Sequence, residues 1–344
     1  MPDLTLDAAI GAAWDIMEQR LAELPDSLAA LARRFLDKVS EPDTGYRSYF
    51  SRPRSAPLLH IPFWLYLRLK REGCYENRGD LIPPRPPGAG RGERNAHADQ
   101  ALYAILAATM WGYIFIRIQD DLLDDPRLAE QDLSLFGNVC CAEMYRLYRW
   151  ALPEAEDFWR GFDRVWLEFT AATLEERTQV LSDQPYPRAL FENHARKVAF
   201  AQTPVLAVAA LAGQNQWDAL IAELINRLGV AFGLINDVMG WPRDLRSGQR
   251  TYLLAAAGWR NDTAADSIEA IEEQLRKALY NQGLLRAFLE SAVEWFKLAT
   301  ESARALGLVE FDAYIEQLMA YLEEQKRPIA LITLQRVLAG LNNG

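Results

Sequence analysis

The feature that most constrains this chain is a helix-length apolar run that ends in acid. Residues 103–116 read YAILAATMWGYIFI, and four residues later come Asp120, Asp121, Asp124 and Asp125 in the run DDLLDD. A helix apolar on all sides belongs in a core. Its most apolar window, 101–116, is shorter than a bilayer span and passes directly into Arg117 and the acids. It therefore reads as the core helix of a soluble protein with no integral membrane association, and three cysteines fit a reducing, cytoplasmic compartment. Residues four apart on a helix share a face, so Asp120 lies above Asp124 and Asp121 above Asp125. Four carboxylates within two turns repel one another, and at a helix C-terminus they also oppose the macrodipole. A solvated acidic helix end is the plain explanation. A hard divalent cation is the sharper one. Mg2+ suits it, because it prefers carboxylate oxygens and takes further ligands from water and substrate phosphates.

Helical signals continue through nearly the whole chain. Leu21, Leu24, Leu28, Leu31 and Phe35 show the three- and four-residue apolar spacing, and no run of alternating β-branched residues is bounded by hairpin dipeptides. The pattern predicts helices over 7–39, 55–72, 97–124, 131–151, 155–181, 187–212, 216–240, 249–257, 264–280, 282–305, 309–325 and 328–341. The exception is 77–95, which holds four prolines within 83–87 and glycines at 88, 90 and 92 and reads as a long loop or connector. Helices on both sides look core-forming, so one all-α domain over residues 1–344 is expected. A net charge of −10 argues against a nucleic-acid or anionic-membrane binder. Three cysteines and three histidines make neither a disulfide framework nor a zinc site. The N-terminus lacks a basic region followed by an apolar one, so no signal peptide is expected.

A second polar ladder follows another apolar helix. Residues 228–254 read LGVAFGLINDVMGWPRDLRSGQRTYLL, placing Asn236, Gly240 and Asp244 on one face over two turns. Pro242 threatens to bend that helix. The Asn236 amide oxygen and the Asp244 carboxylate could ligate a second cation, with Asp237 beside them and Gly240 leaving room for a ligand or water. Arg243, Arg246 and Arg250 come next, and guanidinium forks suit phosphate oxygens. A helix end followed by a basic loop is the bland alternative. Pro204, after Ala201, Gln202 and Thr203, should kink the helix it interrupts.

These residues resemble a known superfamily, the class I isoprenoid synthases. Asp120-Asp121-Leu122-Leu123-Asp124 looks like their DDxxD motif. Leu135-Phe136-Gly137-Asn138, Leu228-Gly229-Val230-Ala231-Phe232 and Gly248-Gln249-Arg250-Thr251-Tyr252 are similar to the FGE, LGxAFQ and GKxTY segments of the prenyl synthases. The resemblance spans roughly residues 45–260. It implies a single large helical domain around a central apolar cavity, with the acidic motifs facing across its mouth. It also implies three Mg2+ ions clamping a prenyl diphosphate substrate, and it is compatible with a homodimer. Metal ligands would be Asp120, Asp121, Asp124, Asn236, Asp237 and Asp244, with Asp120, Asp121, Asn236 and Asp244 central to catalysis. Arg243 and Arg250 would bind diphosphate, with Arg196, Lys197, Arg188 and Arg127 as weaker candidates. Tyr113, Phe115, Ile116, Phe200, Phe232 and Trp111 are candidate lining residues. In cyclases the helix matching the one around Pro204 breaks at the cavity and turns a backbone carbonyl toward the substrate.

Departures from the pattern bear on the subfamily. The second motif is NDxxGxxxD rather than DDxxD, closer to the NDxxSxxxE triad of terpene cyclases. The paired arginines after the first motif are reduced to Pro126-Arg127. The isopentenyl-binding GKRxRP segment has only a loose echo in Arg52-Pro53-Arg54, and Gly112 takes the position of the isopentenyl-binding histidine. A chain lacking most of the second-substrate site suits one substrate, so the leading expectation is a Mg2+-dependent terpene cyclase. The alternatives are a trans-prenyltransferase, chain-elongating or head-to-head, and a catalytically silent helical scaffold. The cyclases' C-terminal Arg-Tyr pair is absent, with Lys326-Arg327 the nearest basic pair.

Overall fold

The computed structural model describes residues 4–40, 50, 56–75, 91–124, 132–260 and 268–342, and among them every regular element is helical. The helices are α1 (Leu6–Ala22), α2 (Asp26–Val39), α3 (Ala56–Arg71), α4 (Arg91–Asp124), α5 (Leu133–Ala151), α6 (Glu156–Val180) and α7 (Arg188–His194). They continue as α8 (Gln202–Ala212), α9 (Asp218–Arg246), α10 (Tyr252–Ala256), α11 (Ile268–Arg276), α12 (Leu284–Ala305) and α13 (Glu310–Asn342). Two compact units share them, Met1–Phe162 with Ala201–Asp218, and Asp163–Phe200 with Ala219–Gly344.

In the first unit, α4 packs against α1, α3, α5 and α8. Its residues Ala104–Trp111 are at most 2% exposed. By length and composition α4 is long and apolar enough to cross a membrane over Ala96–Leu123, yet 78% of its most apolar window is buried. Its start corrects the expected loop 77–95. Residues 76–90 lie outside the described residues, but 91–95 are helical, because the prolines end at Pro87 and Gly92 falls in the first turn. The expected helix 7–39 is two helices. Pro25 has no N–H to continue the ladder and stands as the N-cap of α2. Thr5 caps α1, its hydroxyl accepting from the Ala8 N–H at 3.3 Å.

The expected helix 187–212 is also divided, though not by a kink at Pro204. Ala195–Ala201 winds as a 3-10 helix, and Pro204 sits in the first turn of α8, where its missing N–H costs nothing. All of α8 is buried, and it ends on Gly213 in the left-handed conformation at φ 68°. Pro242 and Pro328 fail to stop their helices. α9 runs through Pro242 to Arg246, and α13 runs through Pro328, joining the two helices expected at 309–325 and 328–341. The distal half of α13 is held from outside, by Arg336 on Glu273 and Asn281 and by the Thr333 hydroxyl on the Tyr280 carbonyl.

In the second unit, α9 lies hard against the 3-10 segment. A Cβ at Gly229 would stand 2.5 Å from Val198 Cγ2 and 2.8 Å from the Ala195 carbonyl oxygen. At Gly233 the nearest atom would be Cζ at the far end of the Phe191 side chain, at 3.0 Å. Gly229→Ala should therefore cost about 1–3 kcal/mol of stability through overpacking. Gly233→Ala should be near neutral, because the ring can shift and alanine favours the helix. Urea denaturation midpoints check this, and equal midpoints for the two variants would contradict the close approach at Gly229.

Candidate active site

The acidic end of α4 emerges from the core over one turn. Ile116 and Ile118 are 9% and 1% exposed, whereas the side chains of Asp120 and Asp121 are 41% and 20% exposed. Arg117 reaches back to both carboxylates at 3.4 Å, and Lys38 of α2 donates to Asp121 at 3.0 Å. The Arg117 contacts are long and Lys38 is 60% exposed, and solvent-screened pairs of that kind hold with about 0–1 kcal/mol. A divalent cation can displace them. Asp124 is the last helical residue; its side chain lies outside the described residues, as do Arg52, Pro53, Arg54, Asp125, Pro126 and Arg127. Behind the acids, Tyr113 is half-buried and meets the Phe50 ring edge-on at 6.2 Å. Phe115 fills the space over Gly137 of α5, and Trp111 is fully buried with its indole N–H unpaired.

The second ladder stays on one face because α9 continues through Pro242. Asn236 is exposed and Asp244 is only 5% exposed. The gap over Gly240, expected to hold a ligand or water, is filled by protein. A Cβ there would lie 3.0 Å from Asp244 Oδ2 and 3.2 Å from Arg243 Nη2. Arg243, although 84% exposed, folds back onto the neighbouring carboxylate, with Nη2 and Nε 3.0 and 3.2 Å from Asp244 Oδ1.

Asp237 points elsewhere. Its Oδ2 accepts the Leu253 N–H at 2.9 Å, closing an open donor at the N-terminus of α10. Burial pushes this carboxyl up to about 7, the Leu253 N–H and Lys197 oppose the rise, and Asp244 and Glu176 add to it. Lys197, on the 3-10 segment, donates to both oxygens of Glu176 at 2.5 and 2.7 Å. Nearby, the Tyr186 hydroxyl lies 2.8 Å from His194 Nδ1, and burial together with Glu176 and Asp237 raises the pKa of that hydroxyl.

The structure gives Arg250 a different task from the expected diphosphate contact. It is 7% exposed, and its guanidinium donates to the carbonyls of Trp259 at 2.8 Å, Gln184 at 2.9 Å and Ser182 at 3.4 Å. Arg188 pairs with Glu192 at 2.7 Å, and Arg196 is exposed. Phe200 is buried against Trp166, and Phe232 is half-buried, edge-on to Phe296. Sequence reasoning missed Lys38 and Glu176 as partners, and it missed Gln202 and Thr203. The last two are fully buried at the start of α8, and among the described residues neither the Gln202 amide nor the Thr203 hydroxyl has a partner. Adjacent polar residues in an otherwise apolar helix were the available signal.

Among the described residues no three His, Cys, Asp or Glu side chains converge on one point. The donors are nonetheless all hard oxygens. Asp237 is half-buried with its carboxyl desolvated, the situation a cation corrects. Such a donor set fits Mg2+, which completes its shell with water and phosphate oxygens.

No family model matches the sequence, and no curated protein does. Solved structures match over almost their whole length. Octaprenyl pyrophosphate synthase from Helicobacter pylori matches with a TM-score of 0.53 and 12% identity, covering 87% of this chain and 98% of that one. Geranylgeranyl pyrophosphate synthetase from the archaeon Geoglobus acetivorans gives 0.57 and 15%, over 90% and 98%. T. brucei farnesyl pyrophosphate synthase gives 0.56 and 12%, over 92% and 100%. The fold is that of the trans-prenyl diphosphate synthases. The expected all-α isoprenoid synthase fold is thus present. All three names are those of prenyl pyrophosphate synthases.

The Asp237 carboxyl sets a pH dependence. Unfolded, it releases its proton near 3.8; folded, it keeps it to about pH 7. Between those values the folded state binds more protons, so this group lowers stability as pH rises through the window. Asp237→Asn keeps an acceptor for Leu253 and removes the titration. Without metal, the Tm of the unmodified protein relative to this variant should fall by about 2–4 °C between about pH 5 and pH 8. A difference independent of pH would contradict the assignment.

Proposed function

We propose that the chain is a Mg2+-dependent enzyme of prenyl diphosphates, and specifically a trans-prenyltransferase. The observation that carries this reading is the pairing of a trans-prenyl synthase fold with the DDLLD motif at the emerging end of α4. In this reading Asp120, Asp121 and Asp124 hold Mg2+, as do Asn236, Asp237 and Asp244. Bound Mg2+ supplies neutralisation of the charge that gathers on departing pyrophosphate.

The chain's own residues then have defined tasks. The carbon–oxygen bond of the allylic diphosphate breaks heterolytically, its electron pair leaving with pyrophosphate. The double bond of a second diphosphate attacks the cation, and a proton is lost to restore a double bond. Arg243 is the counter-ion of Asp244 in the protein alone. With that carboxylate holding the metal, the exposed guanidinium would be available to pyrophosphate oxygens. Lys197 stays paired with both oxygens of Glu176. Arg250 acts through the carbonyls it gathers rather than by touching substrate. Tyr113 and Phe232 are half-buried rings whose faces suit a carbocation.

A terpene cyclase remains the second reading because of specific residues. Gly112 stands where the prenyl synthases carry a histidine, and the second motif reads NDVMGWPRD. Incubation with farnesyl, geranylgeranyl and geranylfarnesyl diphosphates, with and without isopentenyl diphosphate, separates the readings. A longer prenyl diphosphate formed only with isopentenyl diphosphate is the expected result. Hydrocarbon from a single substrate would replace the transferase with a cyclase, and no pyrophosphate release under any condition would reject both in favour of a scaffold. Asp121→Asn should lower turnover by about 10²–10³-fold with helicity intact.

A further inference from the structure

The first unit holds a cleft of about 520 Å³ far from the acidic motif. It is walled by Ile16, Arg20 and Glu23 of α1, Tyr103 of α4, and Arg146 and Trp150 of α5, among others. Tyr103 precedes Asp120 by 17 residues on the same helix, roughly 25 Å at the rise of an α-helix. The volume is that of a small-molecule site, which typically spans about 300–1,000 Å³.

Behind the wall lies Glu143, only 3% exposed, with both carboxylate oxygens engaged. Oε1 accepts from Arg20 Nε at 2.8 Å, and Oε2 accepts from Arg146 Nε at 2.8 Å and pairs with its Nη2 at 2.7 Å. Arg20 Nη1 also donates to Glu23 at 2.9 Å. The remaining amino groups, Arg20 Nη2 and Arg146 Nη1, have no protein acceptor among the described residues. One buried carboxylate thus fixes two guanidiniums by their inner edges and leaves each with outer N–H donors. Pre-anchored forks lose little entropy on binding an anion. Beside them are the aliphatic Ile16 and Leu147 and the ring of Trp150, 42% exposed.

We propose that this cleft is a second ligand site, taking a small amphipathic carboxylic acid. The acid head receives an N–H from each arginine, and the apolar body lies against Trp150, Ile16 and Leu147. Arg20 and Arg146 are already balanced by Glu143 and Glu23, so the cluster favours a monoanion over a diphosphate. This site is independent of the prenyl diphosphate reading.

Isothermal titration of the full chain with naphthalene-2-carboxylate tests it, beside the neutral 2-(hydroxymethyl)naphthalene and inorganic phosphate. The carboxylate should saturate one site and the alcohol should bind about tenfold more weakly or less, as one charge-assisted contact requires. Phosphate should show no saturable heat. Arg146→Gln leaves Glu143 paired with Arg20, and it and Trp150→Ala should each raise the Kd about tenfold, while Asp121→Asn leaves it unchanged. No saturation by the acid, equal binding of acid and alcohol, or indifference to both cleft variants would overturn the proposal. Saturable phosphate binding lost in Arg146→Gln would overturn its carboxylate specificity. The acid–alcohol comparison uses the unmodified protein, so it stands even if a variant fails to fold.

Discussion

The first unit depends on burying α4. A helix apolar on every side can be stable only if other helices surround it, and α1, α3, α5 and α8 do so. The enclosure must open where the sequence turns acidic, because carboxylates at a helix C-terminus gain nothing from the macrodipole and need solvent or counter-charge. The core therefore delivers the acids to a defined place. Arg117 and Lys38 meet them there at lengths and exposures that leave the ion pairs weak. Weak pairing matters for function, since a site preloaded with strong internal salt bridges would resist a metal.

The second unit reaches a comparable end through backbone contact. The close approach at Gly229 fixes α9 against the 3-10 segment that carries Lys197. Asp237 joins α9 to the first turn of α10. Its carboxyl is at once a helix cap and an acid whose charge is costly where it lies. Structural and chemical roles coincide in one side chain, as they do in Glu143 of the other unit, which braces two arginines from beneath a cleft.

Much of this was legible because it follows from local pattern. Apolar periodicity located the helices, and four-residue spacing placed Asn236, Gly240 and Asp244 on one face. Where sequence reasoning failed, side-chain partners that only the fold specifies decided. Pro328 should have ended a helix, but contacts with residues 273–281 hold α13 across it. Arg250 had the composition of a phosphate ligand, yet three carbonyls from two loops take its guanidinium. Gly240 suggested an empty gap, and only the fold shows Arg243 and Asp244 closing it. The partners of Asp121 and Lys197 were equally invisible, because Lys38 and Glu176 lie 83 and 21 residues away.

We propose that the acidic end of α4 binds a metal and diphosphate rather than merely meeting solvent. Calorimetric titration with inorganic pyrophosphate, with and without Mg2+, tests it without regard to prenyl chain length. Saturable binding that requires Mg2+ and weakens about tenfold or more in Asp121→Asn is expected. Pyrophosphate binding indifferent to both Mg2+ and Asp121, or no binding at all, would contradict it.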